Sequence, residues 1–251
     1  MIKIVYLSLY QAYGHLINGP LLKENVSAVM IRGGQGIWKD PEFDYNYSIA
    51  VDNGIPFGIW WFNQPNMTAQ PQTDAFLSLW NSLPKRPIVV AYDVEEIDYR
   101  DSNGNLQKLF PPSVDFSHKN TLEWCMNIAD ETKAAVGIYT RKNYFETWTK
   151  NVPEWQKFWL WIAAWYQYTG AVAPALPRPW TTYRIHQYEG GGLGTPGVDP
   201  LNTCKEYWNG SLESCLRFFG ASAPPPTDDI EALKAKLAEW EAWYGDAPAG
   251  G

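Results

Sequence analysis

Apolar runs of strand type and apolar residues at helical spacing take turns along most of the chain. Residues 2–10 alternate like a buried strand, and a break at 14–19 precedes a short segment ending at Asn25. Residues 27–32 form a second β-type run, closed by the loop Gly33-Gly34-Gln35-Gly36. Residues 40–53 carry Phe43, Tyr47 and Ala50 at helical spacing and stop at Asn53-Gly54, a C-terminal helix signal. Residues 57–62 predict the third strand. A helix is expected over 68–83, with Phe76, Leu79, Trp80 and Leu83 on one side and Pro84 ending it, and the fourth strand over 88–94. Residues 98–112 are polar, with Asp101-Ser-Asn-Gly as a turn, and read as an excursion from the scaffold. Ser117 is expected to cap a helix running to about Lys133. Strands follow at 134–139, 158–166 and 182–188, with a short helix at 144–150 and a stiff connection at 174–179. A glycine loop over 189–197 leads to a short eighth strand at Val198-Asp199.

Strands alternating with helical patterns argue for a parallel sheet, and eight of them for a closed α/β barrel of TIM type. In such barrels the site lies at the C-terminal strand ends. Asp93, Glu95, Trp60-Trp61, Trp165-Tyr166, Gln187-Tyr188 and Asp199 all fall at that end of their strands. Within Ile88-Val-Val-Ala-Tyr-Asp-Val-Glu-Glu96, Asp93 and Glu95 share one face while Val94 and Glu96 take the other. Two neighbouring carboxylates are costly to ionise together. Their pKa values are therefore pushed apart, and such a pair can divide acid and base roles.

Residues 1–220 account for the barrel, and 221–227 form a Pro-rich linker. Residues 228–245 then predict a C-terminal helix, and 246–251 a tail that looks like the start of another linker. The helix spaces Ile230, Leu233, Leu237, Trp240 and Tyr244 by alternating threes and fours, a seam of heptad type. A helix this short is marginal alone in water, so it is expected to pack on the barrel or to build a homo-oligomer.

A length of 251 residues suits a single α/β barrel. A net charge of −7 and a sequence pI near 5.0 argue against a nucleic-acid partner, which would need a basic face. The aromatic content changes the picture more. With 14 Trp, 15 Tyr and 10 Phe, either a groove stacks flat apolar ligand faces such as sugar rings, or the core or an interface is Trp-rich. Cys204 and Cys215 could pair if a turn brings them together, which would leave Cys125 as a buried thiol. His15, His118 and His186 are scattered, so neither a metal site nor a cofactor is expected. The glycines at 33, 34 and 36 match no phosphate-binding pattern and suit a tight turn or a close approach. No stretch approaches a membrane span. The apolar start is too short for a signal peptide and reads as the first strand, so a soluble chain with no visible export signal is expected.

Over about residues 2–205 the chain resembles glycoside hydrolase family 25, the Chalaropsis-type lysozymes or muramidases. The resemblance rests on an ordered set of pieces. The first are Ile31-Arg32-Gly33, Asp44/Asn46 with Ala50 and Gly54, Gly58-Ile-Trp-Trp-Phe62 and Tyr92-Asp-Val-Glu95. The others are Gly137-Ile-Tyr-Thr140, Trp161-Ile-Ala-Ala-Trp-Tyr166, Ile185-His-Gln-Tyr188 and Gly197-Val-Asp199. It implies a flattened β/α barrel of eight strands and about five helices that cleaves the β-1,4 bond after N-acetylmuramic acid in peptidoglycan, with no cofactor. By position, Glu95 would protonate the leaving oxygen, Asp93 would orient or charge-stabilise the reacting centre, and Asp199 would add an acid across the groove. Trp60, Trp61, Trp165, Tyr166 and Tyr188 would bind sugar faces, with Tyr6, Arg32, Tyr139 and Gln187 also contacting substrate. Action on the cell wall from outside, or in a phage or virion, is the implied setting. One departure stands out. Where the family's first strand ends in Asp-Val-Ser, this chain has Tyr6-Leu-Ser8, and no acidic residue precedes Glu24. The chain is therefore expected to be either a muramidase working with three carboxylates or a glycan-binding or assembly module that has lost the chemistry.

Overall fold

The computed structural model describes residues 2–12, 16–165, 173–192, 195–198 and 203–221. Its strands are β1 (Lys3–Leu7), β2 (Ala28–Gln35), β3 (Trp38–Lys39), β4 (Phe57–Phe62), β5 (Val89–Asp93), β6 (Ile97–Arg100), β7 (Leu106–Leu109), β8 (Ala135–Arg141), β9 (Trp159–Ala163), β10 (Ile185–Gly192) and β11 (Thr203–Trp208). Its helices are α1 (Leu9–Ala12), α2 (Gly19–Asn25), α3 (Phe43–Asp52), α4 (Ala69–Ser82), α5 (Val114–Thr132), α6 (Lys142–Trp148) and α7 (Leu212–Phe218).

Eight strands close a TIM-like barrel in the order β1-β2-β4-β5-β8-β9-β10-β11, with β11 pairing back to β1. Every neighbouring pair is parallel except the two made by β11, which runs antiparallel to β10 and β1. The eighth strand is thus Thr203–Trp208 and not Val198-Asp199. Too few residues separate β10 from β11 for a crossover helix, so the chain turns back on itself. Val198 is buried without being in a strand, and Asp199 lies outside the described residues.

Seven α-helices occur among the described residues; the short segment ending at Asn25 is α2, and the apolar periodicity reveals neither α1 nor α7. The cap of α5 is Ser113, whose hydroxyl accepts the Phe116 N–H at 3.1 Å, while Ser117 is buried inside the helix. The polar excursion is a hairpin of β6 and β7. Its turn is held by Asp101 Oδ1, which accepts the N–H groups of Asn103 and Asn105. Of the expected loop at 33–36, Gly33, Gly34 and Gln35 belong to β2, and Gly36 alone lies past its end. A Cβ on Gly34 would fall 2.2 Å from the Trp38 carbonyl oxygen, and Gly36 turns the chain at φ +57°.

Alternation along the strands divides the core in two. One set, including Val5, Leu7, Val29, Ile31, Trp61 and Tyr92, packs outward against Phe76, Trp80 and Trp124 of the helices. The other, including Ile4, Met30, Trp60, Ala91, Tyr139 and Trp161, fills the barrel interior. At the N-terminal end of the parallel strands Trp208 packs with Phe218 and Phe219, which close that mouth. The interior becomes polar only toward the other end, where the strands leave a cavity.

Cys125, Cys204 and Cys215 are buried thiols with no disulfide, so the possible Cys204–Cys215 pair is not made. Cys204 enters the barrel interior from β11 while Cys215 sits on α7. Among the described residues no helix is long and apolar enough to cross a membrane. The segment 222–251, with its expected linker, heptad-type helix and tail, lies outside the described residues.

Candidate active site

A cavity of about 650 Å³ opens at the C-terminal ends of the barrel strands, and Asp93 and Glu95 both line it. Asp93 is the last residue of β5, flanked in register by Phe62 on β4 and Tyr139 on β8. The next three residues are pinned. The Val94 N–H donates to the Tyr139 carbonyl, and Thr140 Oγ1 donates to the Val94 carbonyl at 2.8 Å. Val94 therefore drops into the outer core, and Glu95 returns to the cavity.

Glu96 does not follow the alternation, because the strand has already ended. Its carboxylate also lines the cavity and is bound by Arg141 and by Lys108, the latter at 2.7 Å. Burial works against its charge, but those two cations outweigh it and bring the carboxyl down to about 2. Glu95 is the opposite case. Burial pushes its carboxyl up to about 7, against the pull of Arg141, whose Nε lies 3.9 Å from Glu95 Oε2. Burial drives Asp93 well above the usual carboxylate range, and the charge of Glu95 drives it further, only partly countered by Arg32 and Arg141. Asp93 is 5% exposed and its Oδ1 has no hydrogen-bond partner. Three neighbouring carboxyls are thus pushed apart: Glu96 below the usual carboxylate range, Glu95 and Asp93 above it.

Aromatic and cationic groups complete the walls. Arg32 lies 5.4 Å from the ring centroids of both Trp60 and Phe62, and its Nη2 donates to Gln35 Oε1 at 2.6 Å. Trp165 is 49% exposed at the rim. Its indole N–H and the Tyr139 hydroxyl both donate to Gln187 Oε1, at 2.7 and 2.9 Å. Gln187 Nε2 in turn donates to Glu206 Oε1 at 2.9 Å. Among the described residues no group of three or more His, Cys, Asp or Glu could hold a metal ion.

The sequence pattern of glycosyl hydrolases family 25 matches residues 10–195. The chain belongs to glycosyl hydrolase family 25. Solved structures are similar over nearly the same span. The bacterial lysozyme of Streptomyces coelicolor is 25% identical with a TM-score of 0.72, over 88% of this chain and 98% of that one. A family 25 lysozyme of Aspergillus fumigatus is 22% identical with a TM-score of 0.68, covering 88% and 99%. The catalytic domain of an endolysin from a Listeria monocytogenes bacteriophage is 18% identical with a TM-score of 0.64, covering 88% and 98%. No curated protein sequence matches the chain.

In this family 25 chain Tyr6 projects from β1 into the cavity, edge-on to Trp60 with centroids 5.9 Å apart. Its hydroxyl lies 3.3 Å from Cys204 Sγ. Burial, then Cys204, Glu206 and Asp93, raise the phenol far above its ordinary value, so it stays neutral. The place of the expected first-strand aspartate is thus filled by an uncharged ring.

The cavity brings together Tyr6, Arg32, Trp60, Asp93, Glu95, Tyr139, Trp165 and Gln187 from the expected set. Trp61 and Tyr188 do not line it. Each is the strand neighbour of a residue that points in, so each points out. Trp61 is buried edge-on against Phe76, its N–H on the Gly36 carbonyl at 3.1 Å. Tyr188 lies beside His186 and Tyr207. Asp199 and Tyr166 lie outside the described residues. Arg141, Glu96, Lys108 and Glu206 are additions. Arg141 continues the inward set of Gly137 and Tyr139 on β8, which was visible in the alternation. Glu206 had no such signal, because its strand was not legible.

Proposed function

We propose that the site hydrolyses the β-1,4 bond after N-acetylmuramic acid in peptidoglycan, with Glu95 as the general acid. The observation that carries this reading is the Glu95 carboxyl, pushed up to about 7 in a cavity walled by Trp60, Phe62, Tyr139 and Trp165. Glycoside hydrolysis needs a carboxyl that still holds its proton near neutral pH, beside rings that can carry a sugar face. Glu95 gives its proton to the glycosidic oxygen as the bond to the anomeric carbon breaks. Water then adds to that carbon and gives its proton to the Glu95 carboxylate, which restores the acid. Asp93, beside the reacting centre, orients the N-acetyl group of the sugar by hydrogen bonding. The likeness to an autolysin of Streptococcus pneumoniae solved with a synthetic peptidoglycan ligand supports the substrate class. Action on the cell wall follows, either from outside the cell or as a phage-type lysin. Tyr6 favours a second reading, in which the groove binds glycan without turnover, because a neutral phenol stands where a carboxylate is expected.

Reducing ends released from purified walls decide between the two. The wild type should turn over with an activity that falls as pH rises through about 7, where Glu95 loses its proton. Glu95→Gln should abolish turnover and keep glycan binding within a few-fold. Binding with no release by the wild type would establish the second reading.

A further inference from the structure

A second cavity of about 540 Å³ adjoins the first, and Glu96 and Arg141 line both. Helix α6 supplies one wall through Lys142, Asn143, Tyr144, Thr147 and Trp148. Phe110 stacks on Trp148 with centroids 5.4 Å apart and is itself 40% exposed, a flat apolar plate at the edge of the cavity. Among the described lining residues Ala163, Ala164 and Ala175 present only methyl groups, so a backbone could lie close to them.

Among the described residues several side-chain donors face this space. Arg141 gives one N–H to Glu96 through Nη2, while its Nε makes no hydrogen bond but lies 3.9 Å from Glu95 Oε2. Tyr144 is 6% exposed and its buried hydroxyl has no partner either. A buried polar group left unpaired costs about 1–3 kcal/mol, which an acceptor reaching the Tyr144 hydroxyl from the cavity would recover. Lys142 Nζ bonds Glu146 and the Leu176 carbonyl, leaving its third N–H, and Asn143 adds an exposed amide. Among the described lining residues Arg141 and Lys142 are the cations and Glu96 the carboxylate. Cationic donors, a flat ring pair and a small-residue floor suit an extended peptide bearing carboxylates.

Muramic acid carries such a peptide on its lactyl ether. With its glycosidic bond at Glu95, the lactyl group would leave the sugar beside the Glu96–Arg141 pair that separates the two cavities. We propose that the second cavity binds the acidic stem peptide of the muramoyl residue, making peptide-bearing strands the preferred substrate. The proposal rests on the muramidase reading of the first cavity.

The test compares uncrosslinked glycan strands with and without their peptides, the latter prepared by amidase treatment. Turnover and sedimentation binding are both measured. The wild type should favour peptide-bearing strands by roughly tenfold, mainly in KM. Thr147→Trp, which fills the cavity from the exposed face of α6, and Trp148→Ala, which removes the ring plate, should each bring that ratio close to one. Equal affinity and KM for the two strands in the wild type would overturn the proposal, as would variants that keep the wild-type ratio. No turnover of either strand would instead overturn the muramidase reading, and the binding ratio would still decide the peptide subsite.

Discussion

Tyr6 brings a phenol to a place where the family resemblance puts a carboxylate, and its surroundings limit what that phenol can do. Buried beside Asp93, Glu206 and Cys204, it cannot ionise at any ordinary pH, so it cannot serve as a base or carry a stabilising charge. What remains is shape: an edge-on contact with Trp60 and a contact between its hydroxyl and the Cys204 thiol. Tyr6→Phe keeps the ring and loses only the hydroxyl. Its kcat and KM should stay within about tenfold of the wild type, in line with the ~0.5–1.5 kcal/mol of one neutral hydrogen bond. A loss of a hundredfold in kcat would show that the phenol takes part in the chemistry. Arg141 acts in the other direction, since a cation beside Glu95 favours the ionised acid while burial opposes it. The balance leaves Glu95 near neutrality. Without Arg141 the acid would hold its proton more strongly and give it up less readily.

Among the elements, β4, β5 and β8 are legible in the sequence because their apolar runs are long and bounded by turns. Their facing is harder to read. The adjacent pairs Trp60-Trp61 and Gln187-Tyr188 each send one member inward and one outward, so composition at a strand end overcounts the site. Strand β11 could not be read at all. Its inward positions are Cys204, Glu206 and Trp208, so a charged residue sits where an apolar one marks a strand. That residue matters because of a partner no sequence window joins to it. Gln187 must turn its oxygen toward the two donors, Tyr139 and Trp165, and its amide N–H then needs an acceptor, which is Glu206. Glu206→Leu removes the acceptor and orphans a buried amide, and the half-exposed Trp165 loses its anchor. KM for glycan should rise several-fold with a smaller change in kcat, together with a changed tryptophan emission. Glu206→Gln, which still offers a carbonyl, should stay close to the wild type in KM. Equal behaviour of the two variants would mean that Glu206 does not position the platform.

For the whole molecule, the same buried acids shape the dependence of stability on pH. Asp93, Glu95 and Glu206 are all raised in the fold, chiefly by burial. A raised acid binds its proton more tightly in the native state than in the unfolded one. Its contribution is therefore complete below the unfolded value and lost as pH climbs through the folded value. For Glu95 that window runs from 4.5 to about 7, worth at most ~3 kcal/mol at about 1.4 kcal/mol per pH unit. Glu96 works with the opposite sign. Its carboxyl is lowered to about 2, so its contribution is present above 4.5 and is lost as pH falls toward 2. Together they place the stability maximum near pH 4.5, where the two windows meet, with a decline on each side. Thermal unfolding from pH 3 to pH 8 should show this arch, and Glu95→Gln should flatten the alkaline arm while leaving the acid arm in place. A melting temperature that keeps rising from pH 5 to pH 8 would mean that these acids are charged in the fold without penalty. The site would then hold enough water to solvate them, and Glu95 would lack the retained proton on which its role as an acid depends.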